Sequence, residues 1–139
     1  MDPTALALIA TTTVSVLSPF LKKFAEGIGE GATKTAGTAA WDKAAKLFEA
    51  VKSRLAGTPA AKTLEDLRAA PSDETAKAAL QTALAATVDA DEAFAKRLAE
   101  ILQEADKAGI DRAMNINIHG AVERIINIEI NYGAINMGS

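Results

Sequence analysis

Hydrogen-bonding and apolar side chains alternate near the carboxyl end of this chain, asparagine with isoleucine. Residues 115–119 read Asn-Ile-Asn-Ile-His, and residues 127–131 read Asn-Ile-Glu-Ile-Asn. A carboxamide is both donor and acceptor, so stacked asparagines bond along a stack while stacked isoleucines form dry apolar rows. Asparagine is otherwise depleted in strands, and a ladder supplies a physical reason for it here. The chemistry open to these residues is assembly rather than the making and breaking of bonds.

Catalytic chemistry has few candidates. His119 is the sole histidine; it sits among strand-patterned residues and reads as a ladder or bend residue. Gly27-Ile-Gly-Glu-Gly31 has the glycine spacing of a phosphate loop. No strand pattern precedes it, however, and no Gly-Lys-Ser/Thr follows. The carboxylates fall at spacings that suit i,i+4 pairs on solvated helix faces. With no cysteine, disulfides and thiolate metal sites are excluded. The expectation is a protein that is not an enzyme, with no catalytic residue, no metal and no cofactor. A net charge of −3 argues against nucleic acid as the main partner.

The tail repeats itself. Asn115-Ile-Asn-Ile-His119 followed by Gly120-Ala-Val-Glu-Arg124 aligns with Asn127-Ile-Glu-Ile-Asn131 followed by Gly133-Ala-Ile-Asn-Met137, with Tyr132 inserted. Each unit reads as strand, glycine bend, strand. The expected self-assembly residues are Asn115, Ile116, Asn117, Ile118, Gly120 and Val122 in the first unit. In the second they are Asn127, Ile128, Ile130, Asn131, Gly133, Ile135 and Asn136. Glu129 aligns with Asn117, Glu123 with Asn136 and Arg124 with Met137. Two alternating rungs therefore hold like charges at about twice the 4.8 Å of simple stacking. A two-rung β-solenoid is favoured over one-rung stacking. A short hairpin or strand pair packed on the rest of the chain, or a small β-prism, is the other arrangement the pattern allows.

The elements that must carry this tail are helical. The chain divides into a helical bundle domain at residues 1–109 and a self-assembling β motif at residues 110–139. With 49% apolar, 24% charged and only 4% aromatic residues, the core should be Leu, Ile, Val and Ala in close-packed helices. No charge occurs between Pro3 and Leu21. That length is a marginal membrane span, which needs about 20 apolar residues. Asp2 stands where a secretory signal would have a basic region, and threonines and serines lower the hydrophobicity. At rest the stretch should be a central helix buried on most sides.

Ser18-Pro19 has the form of a helix start. Gly27, Gly29, Gly31 and Gly37 weaken residues 27–37 as helix. Periodicity resumes from Thr38 through Trp41, Phe48, Val51 and Leu55 to Gly57, with Trp41 expected in the core. Thr58-Pro59 opens a helix that Pro71 stops, Ser72 with Asp73-Glu74 caps the next, and Asp89 starts a last one closed by Gly109. The expectation is mainly α, a bundle of about five helices with a two-repeat β segment of amyloid type. Charge is uneven along it: residues 22–62 hold eight bases against four acids, and residues 63–110 hold five against ten. The basic part directly follows the most apolar stretch.

The tail is similar to the bacterial amyloid signalling sequences, related in logic to the HET-s prion motif and the RIP homotypic interaction motif. It has Ile116-Asn-Ile118-His-Gly120 where the RIP-type core has Ile/Val-Gln-Ile/Val-Gly. The helical region resembles the bacterial Bell domain, a HeLo-like cell-death bundle. That resemblance rests on the uncharged first helix, Ser-Pro-Phe-Leu (18–21), Ala-Trp-Asp-Lys-Ala-Ala-Lys-Leu-Phe-Glu-Ala (40–50) and the capped helix at 72–88. Together the resemblances imply a cell-death effector, cytoplasmic at rest and moving to the inner face of the membrane on activation. An upstream receptor with a similar motif would template the tail, and the chain would partner itself in fibrils and an anionic membrane when assembled. Leu6, Leu8, Ile9, Val14, Val16 and Leu17 would insert, with Lys22 and Lys23 at the head groups. The alternatives are a structural filament or oligomer subunit, or an adaptor, with a stacking tail and no membrane activity.

Overall fold

The structure, a computed structural model, describes residues 3–25 and 38–127, the side chains of 23–25 and 38 excepted. The glycine-rich stretch 27–37 and the tail from residue 128 lie outside the described residues. So do the expectations placed on Ile128, Ile130, Asn131, Gly133, Ile135 and Asn136, and on the Lys23 side chain.

The described chain is helical. Five longer helices run in order: α1 (Pro3–Ala25), α2 (Thr38–Leu55), α3 (Ala60–Ala69), α4 (Glu74–Ala90) and α5 (Glu92–Lys107). A short α6 (Ile110–Met114) and a helix α7, described over residues 119–127, follow. The uncharged helix α1 packs most extensively on α4, with α2 and α5 along its other sides; α2 also packs on α5, and α3 on α4. One continuous apolar cluster runs from Leu6 of α1 through Leu47, Leu67, Leu84 and Leu98 to Ile125 of α7. The expected bundle of Leu, Ile, Val and Ala is there, and Trp41 is in its core at 3% exposure. Three aromatics meet in it: the Phe20 ring lies 5.7 Å from Trp41 and 6.1 Å from Phe48.

Helix ends follow capping chemistry, with shifts from the expected positions. Ser18-Pro19 does not begin a helix, for α1 runs through Pro19. Proline there removes one backbone donor, and the Ser18 hydroxyl donates to the Pro71 carbonyl at 2.6 Å instead of capping. That bond fastens α1 to the α3–α4 turn. The cap of α4 is Asp73 rather than Ser72, accepting from the Thr75 N–H at 2.9 Å. The cap of α5 is Asp91 rather than Asp89, accepting from the Phe94 N–H at 3.1 Å. Arg54 of α2 donates to the same carboxylate at 2.9 Å. The Phe94 amide and then Arg54 hold the Asp91 carboxyl below its usual range. Gly109 closes α5 as expected, at φ 83°, where a Cβ is unfavourable.

The first half of the tail departs from the strand–bend–strand unit. Residues 110–114 and 119–127 are helical, and no strand occurs among the described residues. The cause is a second periodicity in the same letters. Ile118, Val122 and Ile125 recur at four and three residues, and all three are buried at 2% exposure. A helix brings them onto one face, whereas an extended chain would split them between two. Docking on the bundle decides between the two periods. Gly120 lies within α7 rather than at a bend, and Asn115 ends α6.

Leu84 is fully buried where α4 faces the core. Leu84→Ala should lower unfolding free energy by about 2–5 kcal/mol, read from urea denaturation followed by far-ultraviolet circular dichroism. A cost below about 1 kcal/mol would show that this position is not packed as described.

Candidate functional site at the docked tail

The path of the tail is set by two left-handed residues. Gly109 turns the chain out of α5, and α6 then runs until Asn115, at φ 56°, ends it. The Asn115 and Ile116 N–H groups both reach back to the Asp111 carbonyl, the latter at 2.9 Å. This is the paired closure made when the residue after a helix turns left-handed, and asparagine tolerates that conformation better than other non-glycine residues. Asn115 thus acts as a helix stop here, with no ladder partner.

Asp111 then starts the next helix from outside it. Its Oδ1 accepts from the Ile118 N–H at 2.9 Å and its Oδ2 from the His119 N–H at 3.1 Å. Both are amides at the start of α7, which the helix itself leaves unpaired. The carboxylate is also favoured at the positive end of the helix.

The His119 ring faces two more carboxylates. Nδ1 lies 2.8 Å from Asp106 Oδ2 on α5, and Nε2 lies 2.9 Å from Glu123 Oε1, one turn along α7. The hydrogen bond and charge of Asp106, and then the charge of Glu123, hold the imidazole pKa above its ordinary value. His119 is therefore a tie between the tail and the bundle, where a ladder or bend role was expected. Asp106 and Asp111 were not singled out from sequence, and Glu123 was read only as a charge aligned with Asn136 in the stack. A cap seven residues ahead of the amide it holds has no local signature, and the Asp106–His119 pairing appears only once α6 has turned the chain.

Between α6 and α7 the residues Ile116, Asn117 and Ile118 cross the bundle as a strap. With Thr11, Val14, Ser15 and Ser18 of α1 and Glu74, Lys77 and Gln81 of α4 they line one groove. Of the first-unit assembly residues, Ile118 and Val122 are buried and Ile116 is half-buried, while Asn115, Asn117, Gly120 and Asn127 are exposed. The structure thus places Ile116 and Ile118 on one groove with residues of the helix expected to meet a membrane.

On that helix Leu6, Ile9, Val14, Val16 and Leu17 are buried, Leu8 is half-buried and Lys22 is exposed. The span Pro3–Lys22 is long and apolar enough to cross a bilayer, and most of it lies buried. The Thr11 and Ser15 hydroxyls bond back to the Ala7 and Thr11 carbonyls at 2.9 and 3.0 Å. Thr13 is fully buried, and its hydroxyl has no partner among the described residues. Of the basic residues after α1, Lys43 pairs with Glu104 at 3.0 Å and Arg54 with Asp91 at 2.9 Å. Lys22, Lys46, Lys52 and Lys62 are exposed. Among the described residues no three acidic or histidine side chains are grouped as a metal site.

No protein-family model matches the chain, and no curated protein and no solved structure is similar to it.

Asp111→Ala leaves two amides at the start of α7 without acceptors. It should destabilise the docked tail by about 1–2 kcal/mol, raising amide exchange over residues 118–127 about five- to thirtyfold. Exchange in α4 should not move. Equal acceleration everywhere would mean that the tail does not open separately from the bundle.

Proposed function

We propose that this chain is a membrane-targeting cell-death effector held at rest by its own fold. Its carboxyl-terminal amyloid motif is templated by an upstream receptor with a similar motif, stacks with copies of itself, and gathers the helical domains at an anionic membrane. The observation that carries this reading is the strap. Residues of the first tail repeat share one groove with the uncharged helix α1, so one place in the fold joins the segment that would stack to the helix that would insert.

The energetics suit a protein that waits. A residue of the tail cannot be in α7 and in a β rung at once, because each backbone N–H serves one ladder. Stacking the first repeat therefore requires Ile118, Val122 and Ile125 to leave the core, each at roughly 1.5–3 kcal/mol. A template that supplies new backbone bonds and apolar rows offsets that cost; a lone chain does not. The isoleucines and asparagines of the second repeat complete a two-rung β-solenoid in this reading.

Helix α1 is similarly balanced. Its apolar residues favour the bundle, while the buried Thr13 hydroxyl opposes it by about 1–3 kcal/mol. Freed, the same stretch is long enough for a bilayer, with Lys22 and the further exposed lysines at anionic head groups, about 1 kcal/mol each. Hydroxyls make insertion marginal for one copy. Clustering on a fibre raises the local concentration and tips the balance. At rest the protein is cytoplasmic, and it moves to the inner face of the membrane on activation. A filament subunit or adaptor would share the stacking and lack the membrane step.

Full-length protein seeded with a fibrillar peptide of residues 111–139 should form fibres and release dye from anionic liposomes. Release should fall steeply with salt and be lost in Ile128→Pro, which removes a strand donor. Leu8→Asp, verified as folded by circular dichroism, should form fibres and spare the liposomes. Fibres that leave liposomes intact would reduce the protein to a scaffold. A peptide that stays monomeric at high concentration would remove the amyloid function altogether. One subunit per roughly 4.8 Å of fibre, rather than per roughly twice that, would rule out two rungs per chain.

A further inference from the structure

We propose that His119 is a proton-operated latch on the tail: its imidazolium bridges Asp106 and Glu123 and holds α7 docked, and loss of its proton loosens α7. The docking step stands on geometry alone; its consequence for assembly rests on the function proposed above.

Both ring nitrogens face carboxylate oxygens, Nδ1 at 2.8 Å from Asp106 and Nε2 at 2.9 Å from Glu123. An ionised carboxylate only accepts hydrogen bonds, and neutral imidazole has one N–H and one lone pair. Only the doubly protonated ring can satisfy both partners. After deprotonation one carboxylate faces a lone pair at under 3 Å: the Asp106 bond that ties α5 to α7 either loses its charge, with Glu123 left unpaired within α7, or is broken. The charged groups that meet His119 come from all three neighbouring elements. Asp106 faces it from α5 and Glu123 from α7, while Asp111 of α6 holds its backbone amide.

The sign follows from the direction of the shift. Asp106 first and Glu123 after it raise the folded imidazole pKa above 6.5. A raised folded value means that the stabilisation is complete below pH 6.5 and is lost as pH rises through the folded pKa. The tail should therefore be tightest in mildly acid solution and loosen toward the alkaline side. The ring is 58% exposed, so the effect is modest and screened by salt. It acts beside the buried Ile118, Val122 and Ile125 and the Asp111 cap that seat α7. His119 also lies inside the first stacking repeat, aligned with Asn131, so opening the latch releases a residue that the stack uses.

The test follows full-length protein between pH 6 and 9. His119 ring resonances give its titration, and amide exchange over residues 118–127, corrected for intrinsic rate, gives tail opening. Protection there should fall about two- to fivefold along the ring titration, less in molar salt, while α4 holds constant. His119→Gln should show low protection that does not vary over this range. It also controls for the α-amino group, which titrates nearby. Asp106→Asn should bring the ring pKa down and flatten the dependence. Seeded fibre growth should accelerate over the same range in the wild type only. Constant wild-type protection across the ring titration, or an unchanged slope in His119→Gln, overturns the latch. Protection that tracks the ring in a protein forming no fibres at any pH keeps the latch and defeats the assembly function. Fibres growing beside constant protection do the reverse.

Discussion

An uncharged helix must be kept out of water, and the rest of the fold is arranged to do it. Between Pro3 and Leu21 helix α1 offers no charge to solvent, and Ile9, Val14, Val16 and Leu17 are all but fully covered. Each such side chain gains about 1.5–3 kcal/mol from burial, a sum comparable with the net stability of an ordinary domain. Helices α4, α2 and α5 supply the covering surfaces, and the Ser18–Pro71 bond fixes the helix lengthwise. One detail runs the other way: Thr13 is buried with no partner for its hydroxyl among the described residues, a cost that valine in its place would not carry.

The tail carries a comparable tension along the chain. Its letters satisfy two periods at once. Asn115-Ile-Asn-Ile118 alternates as a strand does, while Ile118, Val122 and Ile125 fall on one helical face. The bundle offers an apolar surface for that face, Asp111 offers a cap, and Asp106 offers a partner for His119. With these three, the helical period prevails in the single chain. A stack of copies offers instead a paired backbone, apolar rows and asparagine ladders, and there the period of two would prevail. Propensity is a weak prior in both cases, and the surface that a segment meets decides its conformation.

Much of the bundle was legible because its signals are local. Apolar spacing marks the helices, Gly109 marks a left-handed end, and the absence of charge from Pro3 to Leu21 marks the central helix. Three features were misplaced or missed for equally physical reasons. Pro19 looked like a first helical residue, yet a proline inside a well-buried helix costs one backbone bond, which packing can outweigh. Asp89 and Asp91 are both competent caps, and the choice of Asp91 follows from Arg54, which is distant in sequence. The ties of the tail, Asp106 to His119 and Asp111 to the amides of Ile118 and His119, depend on the turn at Gly109 and Asn115. No pattern in the linear sequence announces them.

The central claim is that residues 119–125 are helical in the resting chain, with the Ile118 carbonyl accepting from the Val122 N–H, and that this segment is extended in the assembled one. Infrared spectra of protein carrying carbon-13 carbonyls at Ile118, Val122 and Ile125 test it at those positions alone. In the soluble protein the labelled amide band should lie at the helical frequency. In seeded fibres it should move to the cross-β frequency and sharpen as labelled carbonyls align along the stack. A labelled band that keeps its helical position in fibres would show that the first repeat never leaves the bundle. The strap over α1 would then be ordinary packing, unconnected with assembly.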